Sequence, residues 1–148
     1  MNPATLVGTW QLVARADRDA ASGEPIAEPS LGADPVGFLV YDSAGRVHAQ
    51  IMSRRRGGDP GAITAPAVAN NVAHLGGYYA YFGRYELDVA NARVLHHIEG
   101  SLLPADVGRT LWRRFRLIDA DTIALEFEPG GESDPSRVRA LVWKRVAR

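Results

Sequence analysis

The chain has 148 residues, a length that suits one domain with a hydrophobic core of its own. Its 17 Lys and Arg residues are matched by 17 Asp and Glu residues, which argues against a protein built to bind nucleic acid or an anionic membrane surface. Cysteine is absent, and this excludes disulfides, thiolate nucleophiles and cysteine metal sites.

The N-terminal residues give no targeting signal. The segment MNPATLVGTWQL has no positive n-region and no long apolar run, and no stretch of the chain approaches the ~20 apolar residues of a membrane span. We therefore expect a cytoplasmic protein with no membrane partner. A homodimer is left open as its assembly state.

Short segments rich in β-branched and aromatic residues alternate with turn signals, a rhythm typical of an antiparallel meander. The first segment, 9–16, places Trp10, Leu12 and Ala14 on one face, which is the period of a half-buried strand. Three predicted hairpins and a closing strand follow within residues 36–52, 77–102, 109–127 and 136–146.

This pattern counts eight strands, and closure into a barrel removes the exposed edges that long apolar first and last strands would leave. One short helix is expected within residues 64–76, where Thr64 suits the N-cap and Gly76 the end. Residues 18–35, rich in Pro, Gly and Asp, predict a loose flap across the other strands. The predicted fold class is all-β: one domain over residues 1–148, an eight-stranded antiparallel up-and-down barrel.

Five motifs are spaced along the chain: Gly8-Thr9-Trp10, DPVGFLVYDSAGRVHAQIM, GYYAYFGRYELD, HHIEGSLLPADVG with an arginine strand after it, and ALVWKRV. In this order they resemble the lipocalin-like domain family of bacterial and fungal proteins over nearly the whole chain. The resemblance implies a barrel with a central cavity, with Trp10 at the closed end and Arg145 stacked on it. Some related small barrels of natural-product pathways are cofactor-free cyclases or isomerases. The three arginines of LWRRFRL depart from the usual pattern.

The segment VLHHIEG, residues 94–100, contains three titratable side chains, two adjacent histidines and a glutamate, among apolar residues. Neighbouring residues on a strand point to opposite faces, so His96 and His97 cannot ligate one ion together. His97 shares its face with Glu99, but two ligands fall short of a zinc site, and no metal site is expected. His96 shares its face with Ile98 and points inward, either as a hydrogen-bonded core histidine or as a pocket histidine.

The following strand and the preceding one carry the other inward polar groups. Arg113 shares a face with Phe115, and a guanidinium there needs an acceptor unless it lies at the barrel mouth with its head in water. Tyr79, Tyr81 and Tyr85 share the inner face of the preceding strand, where their hydroxyls can bind a ligand or donate protons.

The strand that contains His48 and Gln50 can be placed in two registers. Its alternate residues Val47, Ala49 and Ile51 are apolar and are expected to face the interior. The opposite register would bring His48 and Gln50 into the cavity, so both are kept as second-rank site residues.

The chain has no GxSxG elbow, no phosphate-binding GxxxxGK loop, no GxGxxG and no HExxH, so no cofactor is expected. The first hypothesis is a cofactor-independent cyclase or isomerase of a small hydrophobic or polyketide-like metabolite. In it, Tyr81 or Tyr85 and Arg113 polarise a carbonyl while His96 moves the proton. The alternatives are a non-catalytic carrier or sensor, and an interaction module whose barrel is filled solid.

The candidate site has two tiers. The predicted catalytic residues are His96, Arg113, Tyr81 and Tyr85. The predicted ligand-binding residues are Tyr79, Phe115, Ile98, Leu39, Tyr41, His48 and Gln50.

Overall fold

The alternating segments form nine β-strands in a computed structural model that describes residues 5–27, 31–32, 34–54, 77–127 and 136–147. The strands are β1 (Gly8–Arg15), β2 (Arg18–Asp19), β3 (Val36–Tyr41), β4 (Arg46–Met52), β5 (Tyr78–Asp88), β6 (Arg93–Ser101), β7 (Thr110–Asp119), β8 (Thr122–Phe127) and β9 (Arg137–Ala147). A 3-10 turn, Pro104–Asp106, lies between β6 and β7.

Eight of these strands close into a barrel. Strands β3 to β9 pair in sequence order, and β1 pairs with both β3 and β9, every pair being antiparallel. Closure leaves neither of the long terminal strands with an unpaired edge. The prediction of an eight-stranded antiparallel up-and-down barrel is confirmed.

Residues 18–27 are more regular than the predicted flap. Arg18 and Asp19 form β2, which pairs with Val138 and Arg137 of β9, and the Asp19 main chain bonds back to Gly23 and Glu24. The prediction of a loose segment is wrong here because the Asp19 carboxylate accepts the main-chain N–H groups of its own turn. The helix predicted within 64–76 lies outside the described residues, and no α-helix occurs in the described ranges.

The inner face of β4 is apolar. Val47, Ala49 and Ile51 are buried, while His48 and Gln50 are exposed on the outside of the barrel. This arrangement follows from the free energy gained by removing apolar rather than polar side chains from water. The register that would have turned His48 and Gln50 inward is therefore wrong.

One end of the barrel is sealed around Trp10. Its side chain is fully buried, and the indole Nε1 donates to the carbonyl oxygen of Leu6 at 2.8 Å. The guanidinium of Arg145 lies 4.0 Å from the centre of the Trp10 ring, and its Nε lies 3.2 Å from the Asp121 carboxylate. The stack of Arg145 on Trp10 that the family resemblance implied is confirmed, and the polar groups described next lie elsewhere in the interior.

Candidate functional site

His96 is held between two tyrosine hydroxyls inside the barrel. Its Nε2 lies 2.7 Å from the hydroxyl of Tyr41, the last residue of β3, and its Nδ1 lies 2.8 Å from the hydroxyl of Tyr81 on β5. His96 is fully buried, and both tyrosines are buried. A neutral imidazole donates from one nitrogen and accepts at the other, so one tyrosine accepts a hydrogen bond and the other donates one. The three side chains form a continuous hydrogen-bonded chain.

The interior keeps these groups uncharged. Burial lowers the pKa of His96 well below its usual value, and the charges of Arg113 and His97 lower it further. Burial raises the pKa of Tyr81 to about 12, against the opposite pull of the Arg113 charge. Burial also raises the pKa of Tyr41. His96 is therefore neutral at pH 7, and its ring has one nitrogen that donates and one that accepts a hydrogen bond.

Arg113 lies in the interior and not at the barrel mouth. Its side chain projects inward from β7 and is only 6% exposed. The Nη1 group donates to the main-chain oxygen of Trp112 at 2.7 Å. Burial lowers the pKa of the guanidinium, while nearby Tyr81, Tyr79, Tyr41 and Asp106 favour its charged form.

A buried carboxylate completes the polar interior. Asp106, in the 3-10 turn after β6, is 1% exposed; one of its oxygens accepts a hydrogen bond from the Tyr79 hydroxyl. Its other oxygen lies 3.4 Å from Nη1 of Arg109. Burial and the hydrogen bond with Asp106 raise the pKa of Tyr79. Asp106 was not predicted from the sequence, where its signal is an acid two residues after a proline in the loop that follows the histidine strand.

A small cavity of about 20 Å³ lies among these groups. Its wall consists of Leu39, Ile51, Tyr79, Tyr81, Arg113, Leu125, Leu141 and Trp143. A volume of this size holds about one water molecule. Leu125, Leu141 and Trp143 were not predicted as site residues, although alternation on β8 and β9 places all three on the inner face. The structure thus brings together the predicted Arg113, Tyr81, Tyr79 and Leu39 at one cavity.

The other predicted residues lie away from the cavity wall. The Tyr85 ring packs 4.8 Å from the Tyr41 ring, and its hydroxyl donates to the main-chain oxygen of Asp42 at 3.0 Å, near the β3–β4 turn. Phe115 and Ile98 belong to the buried core. His96 and Tyr41 do not line the cavity, but His96 is hydrogen-bonded to Tyr81, which does.

His48 and Gln50 line a different depression. It is a groove of about 280 Å³ on the outside of the barrel, to which Phe82 and Leu102 also contribute. Neither His48 nor Gln50 lines the interior cavity.

Two further features bear on the class of site. In the part of the chain that the structure describes, no group of three or more His, Asp or Glu residues lies close enough together to hold a metal ion. No helix among those residues is long and apolar enough to cross a membrane.

Three solved β-barrel structures align with this chain at low sequence identity. A redesigned β-barrel aligns with a TM-score of 0.44 and 10% identity, over 97% of this chain and 94% of its own. A de novo designed fluorescence-activating β-barrel aligns with a TM-score of 0.46 and 13% identity, over 99% and 100%. Japanin from Rhipicephalus appendiculatus, solved with cholesterol bound, aligns with a TM-score of 0.44 and 13% identity, over 99% and 79%.

No curated protein sequence matches the chain significantly. The family comparison is more specific, because a model of the lipocalin-like domain matches residues 7–146. This match spans nearly the whole barrel, from β1 to β9. The protein therefore belongs to the lipocalin-like domain family.

Proposed function

We propose that this barrel binds a small hydrophobic metabolite, such as a polyketide-like molecule, in its interior. The observation that carries the proposal is the cavity itself, where the apolar side chains Leu39, Leu125 and Leu141 meet the polar groups of Arg113 and Tyr81. Small-molecule sites are commonly apolar clefts with a few placed polar groups that fix the ligand's orientation.

The polar interior favours a ligand site over a solid interaction module. Burying a guanidinium and an imidazole costs free energy that an apolar core of the same volume does not incur. His96 and Arg113 nevertheless occupy the centre of the barrel, at 0% and 6% exposure. A function that uses these groups accounts for their presence there.

The cavity volume sets how such a ligand binds. At about 20 Å³ it admits one water-sized group, so a metabolite with several heavy atoms has to displace side chains of the cavity wall. Binding is therefore an induced fit, in which interior side chains change rotamer as the ligand enters.

A second candidate function, a cofactor-independent isomerase or cyclase, is favoured by the chain Tyr41–His96–Tyr81. Tyr81 lines the cavity and its hydroxyl is hydrogen-bonded to His96, whose neutral ring would serve as the proton acceptor. Arg113 in the same wall can polarise a ligand carbonyl. Tyr85 has no part in this mechanism because its hydroxyl is directed to Asp42. A carrier requires no such proton path.

Mass spectrometry of small molecules extracted from the protein, purified from its native host, tests both candidates. We expect the wild type to carry a bound metabolite, and Arg113→Met to lose most of it because the polar anchor is gone. Arg114→Met is the matched control, since Arg114 is the next residue on β7 but is exposed outside the barrel. If Arg113→Met and the wild type yield equal amounts of the bound metabolite, binding at the cavity is rejected.

The same extraction separates enzyme from carrier. Isomerisation conserves mass, so a catalytic His96 predicts that His96→Gln retains a compound of equal mass but different chromatographic retention. The wild type should then hold the product isomer. If the wild type and His96→Gln contain the same compound, the catalytic function is rejected and the carrier function is retained.

A further inference from the structure

Three neighbouring strands carry an uncharged patch on the outside of the barrel. Outward residues of β3, β4 and β5 alternate with buried ones and pair across the strands in two adjacent rows. The outer patch consists of these two rows: Phe38, Gln50 and Ala80, and then Val40, His48 and Phe82. None of the six is Asp, Glu, Lys or Arg, although these residues make up 23% of the chain.

The outer patch combines exposed aromatic rings with a groove. Phe38 and Phe82 are each 48% exposed. The groove of about 280 Å³ described above is lined by Ala80, Phe82, His48 and Gln50, whereas Phe38 lies beside it and is not part of its wall. Exposed aromatic residues in a region without charges are typical of the core of a protein interface.

The charges next to the outer patch have counter-charges within the chain. Arg46 and Arg84 form the adjoining row of β4 and β5, and the carboxylate of Glu99 lies 2.7 Å from Nη2 of Arg46 and 3.1 Å from Nε of Arg84. A strongly charged partner would therefore gain little here. A second copy of the chain brings the same uncharged patch, and its 17 basic and 17 acidic residues produce no net repulsion.

The order of the strands makes the outer patch complementary to itself. Strands β3 and β5 flank β4 on opposite sides, so a two-fold axis that runs along β4 between two copies lays β3 of one copy over β5 of the other. The strands of the two faces are then aligned, as in face-to-face sheet packing. Because Phe38, Gln50 and Ala80 share a row, this axis places Phe38 of each copy over Ala80 of the other. The exposed ring thus meets a small residue in the wall of the groove.

We propose that the outer patch is the contact surface of a homodimer, in which Phe38 of each copy enters the groove of the other beside Ala80. The contact uses the outer faces of β3, β4 and β5. It does not depend on the ligand-binding function proposed for the interior.

Sedimentation equilibrium of the full chain, from about 1 μM to about 1 mM, tests the proposal. We expect the wild type to dimerise and Phe38→Lys to raise the dimer Kd about 10-fold or more, because the contact would bury an unpaired charge. Ala80→Glu should weaken the dimer in the same way. Leu117→Lys is the matched control with the wild-type Kd, since Leu117 is 50% exposed on β7, outside the patch. Near-UV circular dichroism shows whether each variant keeps the packed barrel.

The double variant Phe38→Lys/Ala80→Glu tests the two-fold arrangement itself. It places the introduced ammonium group of each copy opposite the introduced carboxylate of the other. Its dimer should be at least about 10-fold tighter than the combined effects of the two single variants predict. An ion pair within one chain would not restore the dimer.

A wild type that stays monomeric up to about 1 mM would overturn the proposal. A dimer that neither Phe38→Lys nor Ala80→Glu weakens would also overturn it, because its contact would lie elsewhere. If the losses in the double variant are simply additive, the pairing of Phe38 with Ala80 across the axis is wrong.

Discussion

At the scale of single residues, adjacent histidines on β6 occupy opposite environments. His96 is fully buried between two tyrosine hydroxyls, whereas Nδ1 of His97 lies 2.9 Å from the Thr110 hydroxyl on the outer face. Strand geometry alone requires this separation. The sequence could therefore predict which histidine faces inward, but not that Tyr41 from β3 would be one of its partners, because that contact spans 55 positions.

The buried His96 predicts a pH-dependent stability. Its pKa in the folded state lies well below the value of ~6.5 in an unfolded chain, so below about pH 6.5 only the unfolded state binds the proton. This contribution to stability is complete above that pH and falls by up to about 1.4 kcal/mol per pH unit below it. The free energy of unfolding of the wild type should thus fall more than that of His96→Gln between pH 7 and pH 5, by up to about 2 kcal/mol.

Urea unfolding at several pH values measures this difference. His48→Gln is the matched control: His48 is exposed on β4, and the variant keeps His96 and so should follow the wild-type pH dependence. Parallel curves for the wild type and His96→Gln would show that the histidine does not remain neutral in the fold.

At the scale of elements, the β5–β6 pair contains an irregularity that alternation does not predict. The register shifts between Phe82 and Gly83, so a bulge interrupts the pairing beside the histidine strand. A Cβ atom on Gly83 would overlap the carbonyl oxygen of His97. The close approach of the two backbones therefore requires glycine at this position.

Replacing this glycine should disrupt the pairing. Gly83→Ala is expected to lower the free energy of unfolding by about 2 kcal/mol or more, because either β5 or β6 must shift. In Gly45→Ala the added methyl group meets open space, and the cost is limited to about 1 kcal/mol of strain at a φ of +82°. Chemical denaturation measures the free energy of unfolding of both variants. A smaller decrease for Gly83→Ala than for Gly45→Ala would contradict the need for glycine at the bulge.

The hairpin corners were predicted more successfully than the bulge. At the β3–β4 corner, the Asp42 carboxylate accepts the main-chain N–H groups of Ala44 and Arg46 at 2.9 and 2.8 Å, and Gly45 takes a positive φ. Turn chemistry of this kind is local, so it can be inferred from four residues. Asp106 was missed for the opposite reason, since its partner Tyr79 lies 27 positions away.

At the scale of the whole molecule, closure depends on contacts between the two ends of the chain. Strand β1 pairs with β9, and Arg145 donates to the main-chain oxygens of Thr5 and Val7 while it covers Trp10. The strand count and the need to remove sheet edges were enough to predict a barrel. They could not give the volume of its interior, which depends on how large inward side chains such as Tyr79 and Trp143 pack.

The central claim is that a small molecule binds inside the barrel, and intermolecular NOEs between methyl-labelled protein and octanoate test it most directly. We expect contacts from the octanoate chain to the methyl groups of Leu39, Leu125 and Leu141, which line the cavity. Leu102, 40% exposed in the outer groove beside His48, is the internal control and should show none. NOEs to Leu102 without NOEs to the three interior leucines would place the ligand outside the barrel and contradict the account.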